Sequence, residues 1–183
     1  MSFRSELIKL SASLSILLTG ISIVNVPVVH ADEVEPDLPE TTSLTSPAPK
    51  KDDIKLLIRK KKVDKVDKIV KLAEKQIGKP YVYGATGPNA FDCSGLAQYV
   101  YKKAVNKTLP RTTFSQVHQG KKVNLNHLQK GDLLFWGSVS APYHVGIYVG
   151  NGQYVHAATP SQGVRKQALS TYFYPSAAKR VLK

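Results

Sequence analysis

The chain has 183 residues, with 26 Lys and Arg against 13 Asp and Glu, a formal charge of +13 and one cysteine, Cys93, which has no internal disulfide partner. Between Gly78 and Lys183 thirteen Lys or Arg face only two acids, Asp92 and Asp132, which argues against a glycosidase, because sugar cleavage ordinarily needs two carboxylates facing one bond. The five histidines show no close spacing of zinc-ligand type, so neither a metal nor another cofactor is expected.

Residues 1–31 read as a secretory signal. Arg4 and Lys9 lie near the start, an apolar run extends from Leu10 to Val29, and Val29-His30-Ala31 has small-residue cleavage spacing. Ser11, Ser13, Ser15, Thr19, Ser22 and Asn25 interrupt the run and Pro27 closes it, which favours a cleaved segment over a span of about 20 apolar residues. No cysteine follows the run, so neither a lipid anchor nor another stable membrane anchor is expected. Residues 32–51 are acidic and then rich in Pro, Thr and Ser, with too little to bury to offset their ordering entropy, and read as a flexible tether. Residues 52–183 suffice for one domain with a single core. Loss of the signal removes two cations and one anion, taking the charge from +13 to +12. For an exported protein that excess points to a cell wall or membrane surface rather than to nucleic acid, although charge alone does not choose.

Within the domain, Val63, Val66, Ile69, Val70, Ala73 and Ile77 recur at helical spacing until Gly78-Lys79-Pro80, which predicts an amphipathic helix preceded by a solvated basic cluster, Arg59 to Lys62. Tyr81 to Asn89 reads as a short extended piece and a turn. From Ser94 the residues Leu96, Ala97, Val100, Tyr101 and Ala104 return to helical spacing, so Cys93 falls at a helix N-terminus. Unpaired backbone N–H groups there favour an anion, and the expectation is a lowered thiol pKa. Leu133–Trp136, Val145–Val149 and Gln153–Ala157 are β-rich runs bounded by turn residues, with Phe135 and Trp136 assigned to the core. Helices first and strands after predict an α+β class with helices packed on an antiparallel sheet.

A thiol nucleophile needs a base, and the base needs a group to hold its tautomer. His144 and His156 flank the Asn151-Gly152 turn on two β runs and can fill those posts. Taken singly, Cys93 is a small buried hydrophobe, His144 a strand-edge residue and His156 a satisfied core histidine.

The ordered stretches Tyr81-Val82-Tyr83-Gly84, Phe91-Asp92-Cys93-Ser94-Gly95-Leu96, Pro110-Arg111-Thr112, Gly131-Asp132-Leu133-Leu134-Phe135-Trp136, His144-Val145-Gly146-Ile147-Tyr148-Val149-Gly150 and Tyr154-Val155-His156-Ala157 resemble the motifs of the NlpC/P60 family of cell-wall cysteine peptidases. The resemblance runs from about Val66 to Val181. It implies a papain-like α+β fold and cleavage of peptidoglycan stem peptides, often between γ-D-glutamyl and the following diamino acid. Carried over by position, Cys93 is the nucleophile, His144 the general base and acid, and His156 the residue that orients His144. Tyr81, Asp92, Ser94 and Arg111 match substrate-binding positions, although Asp92 and Ser94 also suit helix capping and Tyr81 also suits the core. The separate wall-binding module of many relatives has no counterpart here, so anionic wall polymers are a further expected partner through charge. An N-acetylmuramoyl-L-alanine amidase of similar fold, an acyltransferase and a non-catalytic wall-binding protein are the alternatives.

The register of the last hairpin bears on this. A plain two-residue loop at Asn151-Gly152 would set His156 opposite Ile147 and turn His144 to the other face. Two imidazoles on one face require a shift by one, either through a three-residue Gly150-Asn151-Gly152 loop with Gly152 left-handed or through another device, with His156 opposite Gly146.

Overall fold

Helix α1 spans Lys51–Glu74 in a computed structural model that describes residues 50–182. The signal (1–31) and all but the last two residues of the expected tether lie outside the described residues. The helix begins earlier than its apolar periodicity predicts, so the Arg59 to Lys62 cluster lies inside it and not before it. Its first turn carries Asp52 and Asp53, which suit the positive end of a helix dipole, and Lys and Leu sustain it by propensity. Only Ile69 and Ala73 are buried. Val63 and Ile77, expected on the packed face, are exposed, and Ile77 follows the end of the helix. No helix among the described residues is long and apolar enough to cross a membrane.

Helix α2, Cys93–Val105, is capped by Asp92 and ends at Asn106 in the left-handed conformation. It buries Leu96, Ala97, Val100 and Tyr101, each large aliphatic side chain contributing roughly 1.5–3 kcal/mol. The Tyr101 hydroxyl donates to the Gly131 carbonyl, pinning the helix to the loop before the second strand. A one-turn helix α3, Thr113–Gln116, follows.

Six strands form one antiparallel sheet: β1 Lys121–Val123, β2 Leu133–Gly137, β3 Pro142–Gly150, β4 Gln153–Ala157, β5 Val164–Ala168 and β6 Ala177–Arg180, in the spatial order β1-β6-β2-β3-β4-β5. The class is α+β, as the sequence predicts, and β4 has the predicted bounds. The three unpredicted strands are short and polar. Two of them, β1 and β5, are the edges, where Lys121, Lys122, Arg165 and Lys166 discourage further pairing.

Alternation along the strands separates two cores. Leu133, Phe135, Val145, Ile147, Val149 and Val155 join Ile69, Phe91, Leu96 and Val100 from the helix side. Leu134, Trp136, Tyr154 and Ala178 pack with Phe173 and Leu169 on the other. Arg180 ties the sheet to Asp132, donating from Nε at 2.8 Å and from Nη2 at 2.8 Å.

The β3–β4 register is the shifted one. Ile147 pairs with Val155 and Tyr148 with Tyr154, which turns His144 and His156 to the same face. The device differs from the three-residue loop. Asn151 (φ 52°) and Gly152 (φ 67°) keep the two-residue turn expected of Asn-Gly, while a bulge between Tyr148 and Gly150 supplies the extra residue, with Gly150 at φ 101°.

Candidate active site

Asp92 organises the start of α2. Its Oδ1 accepts from the Gly95 N–H at 2.7 Å and from Ser94 Oγ at 3.1 Å, and its Oδ2 accepts from the Gly84 N–H at 3.0 Å. Arg111 donates to both oxygens, from Nη1 at 3.2 Å and Nη2 at 2.5 Å, and its Nη1 also reaches Ser94 Oγ at 2.8 Å. Burial alone would push the Asp92 carboxyl up, but the Arg111 guanidinium and the Gly95 and Gly84 amides outweigh it and hold the pKa below the ordinary range. The cap is therefore observed, and Asp92 is an inward-facing, fully engaged carboxylate, 5% exposed. Gly95 is required because a Cβ there would run into the Ala85 carbonyl of the loop that Asp92 gathers.

A cleft of about 380 Å³ opens over this network, and Tyr81, Asp92, Cys93, Ser94 and Arg111 all line it. The Tyr81 phenol is pushed up by burial, then by Cys93, Asp92 and Tyr83, with Arg111 opposing, so it keeps its proton as a donor at neutral pH. Tyr83, Thr113 and Tyr143 also line the cleft, although motif positions did not single them out. Tyr143 owes its place to alternation, facing away from its neighbour His144, and Thr113 to a bond from its Oγ1 to the Pro142 carbonyl at 2.7 Å.

Neither imidazole lines this cleft. His144 Nε2 and His156 Nδ1 are 2.8 Å apart, with ring centroids at 5.0 Å and planes at 79°. Gly146 makes room, since a Cβ there would stand 2.9 Å from the Tyr154 ring and 3.4 Å from His156 Cβ. Trp136, paired with His144 across β2 and β3, packs its ring 5.4 Å from that of His144, and Phe173 stacks on Trp136 at 5.0 Å. Trp136 is thus core, as predicted, but a core built around an imidazole. Burial pushes His144 down to about 3, with His156 adding to the effect, and pushes His156 down to about 4. Both rings are neutral at ordinary pH.

The thiol reading needs correction. Burial pushes Cys93 up, and the Asp92 carboxylate adds to it. The N–H groups of Val145, Ser94 and Cys93 oppose this but do not outweigh it. The helix-start effect is real, yet desolvation of the sulfur by burial exceeds it. No hydrogen bond joins Cys93 to His144 among the described residues. The Val145 amide, one residue along β3 from His144, lies near enough to the sulfur to favour its charged form. With Nε2 of His144 engaged by His156, Nδ1 is the nitrogen left for the thiol.

Sequence and structure comparisons decide the family. A family model described as the NlpC/P60 family matches residues 78–183. The chain belongs to the NlpC/P60 family. It is 42% identical over 104 residues to Protein P54 of Enterococcus faecium, covering 57% of this chain and 20% of that protein. It is 43% identical over 111 residues to a probable endopeptidase of Corynebacterium glutamicum, covering 61% of this chain and 52% of that one. The chain thus spans between a fifth and about half of these two relatives. Among solved structures, the NlpC/p60 domain of the peptidoglycan hydrolase SagA aligns with a TM-score of 0.60 and 40% identity, over 63% of this chain and 97% of that domain. An NlpC/P60 family protein from Bacillus cereus aligns with a TM-score of 0.61 and 31% identity, over 64% and 40% of the two chains.

Proposed function

We propose that this chain is a secreted, wall-associated cysteine endopeptidase that cuts peptidoglycan stem peptides at the bond between γ-D-glutamyl and the following diamino acid. Residues 1–31 export it and are removed, residues 32 to about 50 tether it, and the excess of cations draws it to anionic wall polymers. The observation that carries the reading is the 2.8 Å contact between His144 and His156, which the register-shifting bulge makes available.

Because thiol and imidazoles are all neutral at rest, the first step is a coupled transfer. The Cys93 S–H proton passes to His144 Nδ1 as the sulfur attacks the peptide carbonyl. The resulting oxyanion is met by the Cys93 backbone N–H at the start of α2 and by the Tyr81 hydroxyl. His144, held by His156, then gives its proton to the leaving amine as the C–N bond breaks. Water, deprotonated by the same Nδ1, attacks the thioester, and the thiol recovers its proton as the C–S bond breaks. Asp92 contributes by holding Ser94, Arg111 and the Gly84 loop in place, which leaves Ser94, Arg111 and Tyr81 to meet the substrate.

Mass spectrometry of fragments released from purified peptidoglycan tests this. The wild-type chain should free peptides that begin with the diamino acid and leave L-alanyl-γ-D-glutamate on the glycan, and a Cys93→Ala variant with unchanged melting should free none. Fragment release by the folded variant would sink the thiol mechanism. Intact stem peptides beginning with L-alanine would instead mark an amidase.

A further inference from the structure

His156 is 3% exposed, and its Nε2 is buried without a hydrogen-bond partner. That atom matters because the tautomers of the two rings are linked, an argument that rests on the thiol mechanism proposed above. For His144 to take the thiol proton, its Nδ1 must be bare, so the hydrogen sits on Nε2 and is donated to His156 Nδ1 across 2.8 Å. His156 Nδ1 is then an acceptor, and the hydrogen of His156 must be on Nε2, the unpartnered atom. The opposite assignment places a hydrogen on His144 Nδ1 and leaves the thiol without a base. A buried ring nitrogen left without a partner costs roughly 1–3 kcal/mol as donor or as acceptor, so a neutral group that accepts from His156 Nε2 selects the productive tautomer over the other.

The neighbours of His156 narrow the choice. The rings of His144 and Tyr154 lie at 5.0 and 4.7 Å. Across the β4–β5 ladder Arg165 stands directly opposite and Gln167 stands opposite Tyr154, one pleat along on the same face. Arg165 has donors only, and its charge opposes protonation of His156. Gln167 is half-buried, diagonal to His156 at a backbone separation of about 7–8 Å that long side chains bridge, and its amide offers a neutral acceptor. The Tyr154 hydroxyl, also buried and unpartnered, is the rival.

We propose that Gln167 is a positioning residue whose Oε1 accepts the His156 Nε2–H, and so locks both imidazoles in the tautomer that leaves His144 Nδ1 as the base. The contact also favours a proton on His156, against burial and Arg165. Sequence reading had no reason to single out Gln167, because it lies on an unpredicted edge strand outside the motifs.

The test is the pH profile of kcat and KM on purified peptidoglycan fragments, using full-length Gln167→Leu, Gln167→Glu and Tyr154→Phe beside Cys93→Ala. Gln167→Leu should lower kcat about tenfold or more with KM and melting unchanged, and move the acid limb to lower pH. Gln167→Glu should restore kcat and move that limb upward, because a carboxylate stabilises the imidazolium. In the wild-type chain, ¹⁵N-resolved proton spectra should show a slowly exchanging Nε2–H on His156, a reading independent of how the variants fold. Wild-type kcat with an unshifted limb in a folded Gln167→Leu protein overturns the proposal, as does a His156 that carries its hydrogen on Nδ1. Transfer of the loss and the shift to Tyr154→Phe overturns it in favour of the phenol. Activity in Cys93→Ala removes the thiol mechanism itself, a separate failure.

Discussion

The face of the sheet beneath α1 and α2 packs Phe91, Leu96 and Val100 beside a thiol, whereas the opposite face packs Trp136, Tyr154 and Phe173 against two imidazoles. On the first face the reactive group is placed by a helix start that Asp92 caps locally, with Arg111 joined to that cap from 17 to 19 residues along the chain. On the second, each imidazole is placed by strand register, and its environment comes from residues far away in the chain, such as Phe173. The two sets meet at β3, where the Val145 amide lies near the sulfur and the preceding residue is His144. A helix start is robust to small shifts of the sheet. A register is all or nothing, because a slip of one residue would reverse His144.

The largest expected effect separates the faces by activity. His144→Ala should lower kcat/KM by about 10⁴-fold while Cys93 stays folded and open to alkylation, since its position depends on α2. If that variant also loses the Asp92 cap, as judged by a large drop in melting temperature, the two faces are not independent.

Next in size are the aromatic anchors. Phe91→Ala and Trp136→Ala should each cost about 3–5 kcal/mol in denaturant unfolding, but only Trp136→Ala should also raise the acid limb of kcat/KM, by admitting water to His144. Equal shifts in both variants would argue against a Trp136-specific environment.

A change of pH sharpens the comparison further. His144 and His156 stay neutral in the folded chain down to about 3 and about 4, whereas in the unfolded chain they bind protons below about 6.5. Unfolding therefore takes up protons in that window, and stability, fully present above pH 6.5, should fall as pH drops through 6.5 towards 4. Asp92, held low, adds to the loss only below the ordinary carboxylate range. The thiol behaves oppositely. Its alkylation by iodoacetamide should rise only above the ordinary thiol pKa, and a midpoint below neutrality would contradict a burial-dominated Cys93.

The smallest effect belongs to the start of α1. Leu57 is 62% exposed, so Leu57→Ala should change stability by no more than about 0.5 kcal/mol. A larger loss would mean that this part of α1 is covered in solution.

Local patterns determined much of this protein in advance. The α2 start at Cys93, the Asp92 cap, strands β2, β3 and β4 and the ordered motifs are legible because short-range spacing dictates where polar and apolar groups must point. The need for a register shift between His144 and His156 was also legible, by alternation alone. Tertiary structure decided the rest. It put the extra residue in a strand bulge at Gly150 and kept the Asn151-Gly152 turn, since the turn and the pairing are satisfied separately. It recruited β1, β5 and β6 as strands, although their sequences carry no alternating apolar signal, because edge and late strands take their conformation from neighbours. The start of α1 ahead of its buried face follows from helix propensity, a local property that apolar periodicity does not read. Tertiary structure also raised the thiol and lowered both histidines, because desolvation depends on what the rest of the chain piles over a group, and that is not written within a few residues of it.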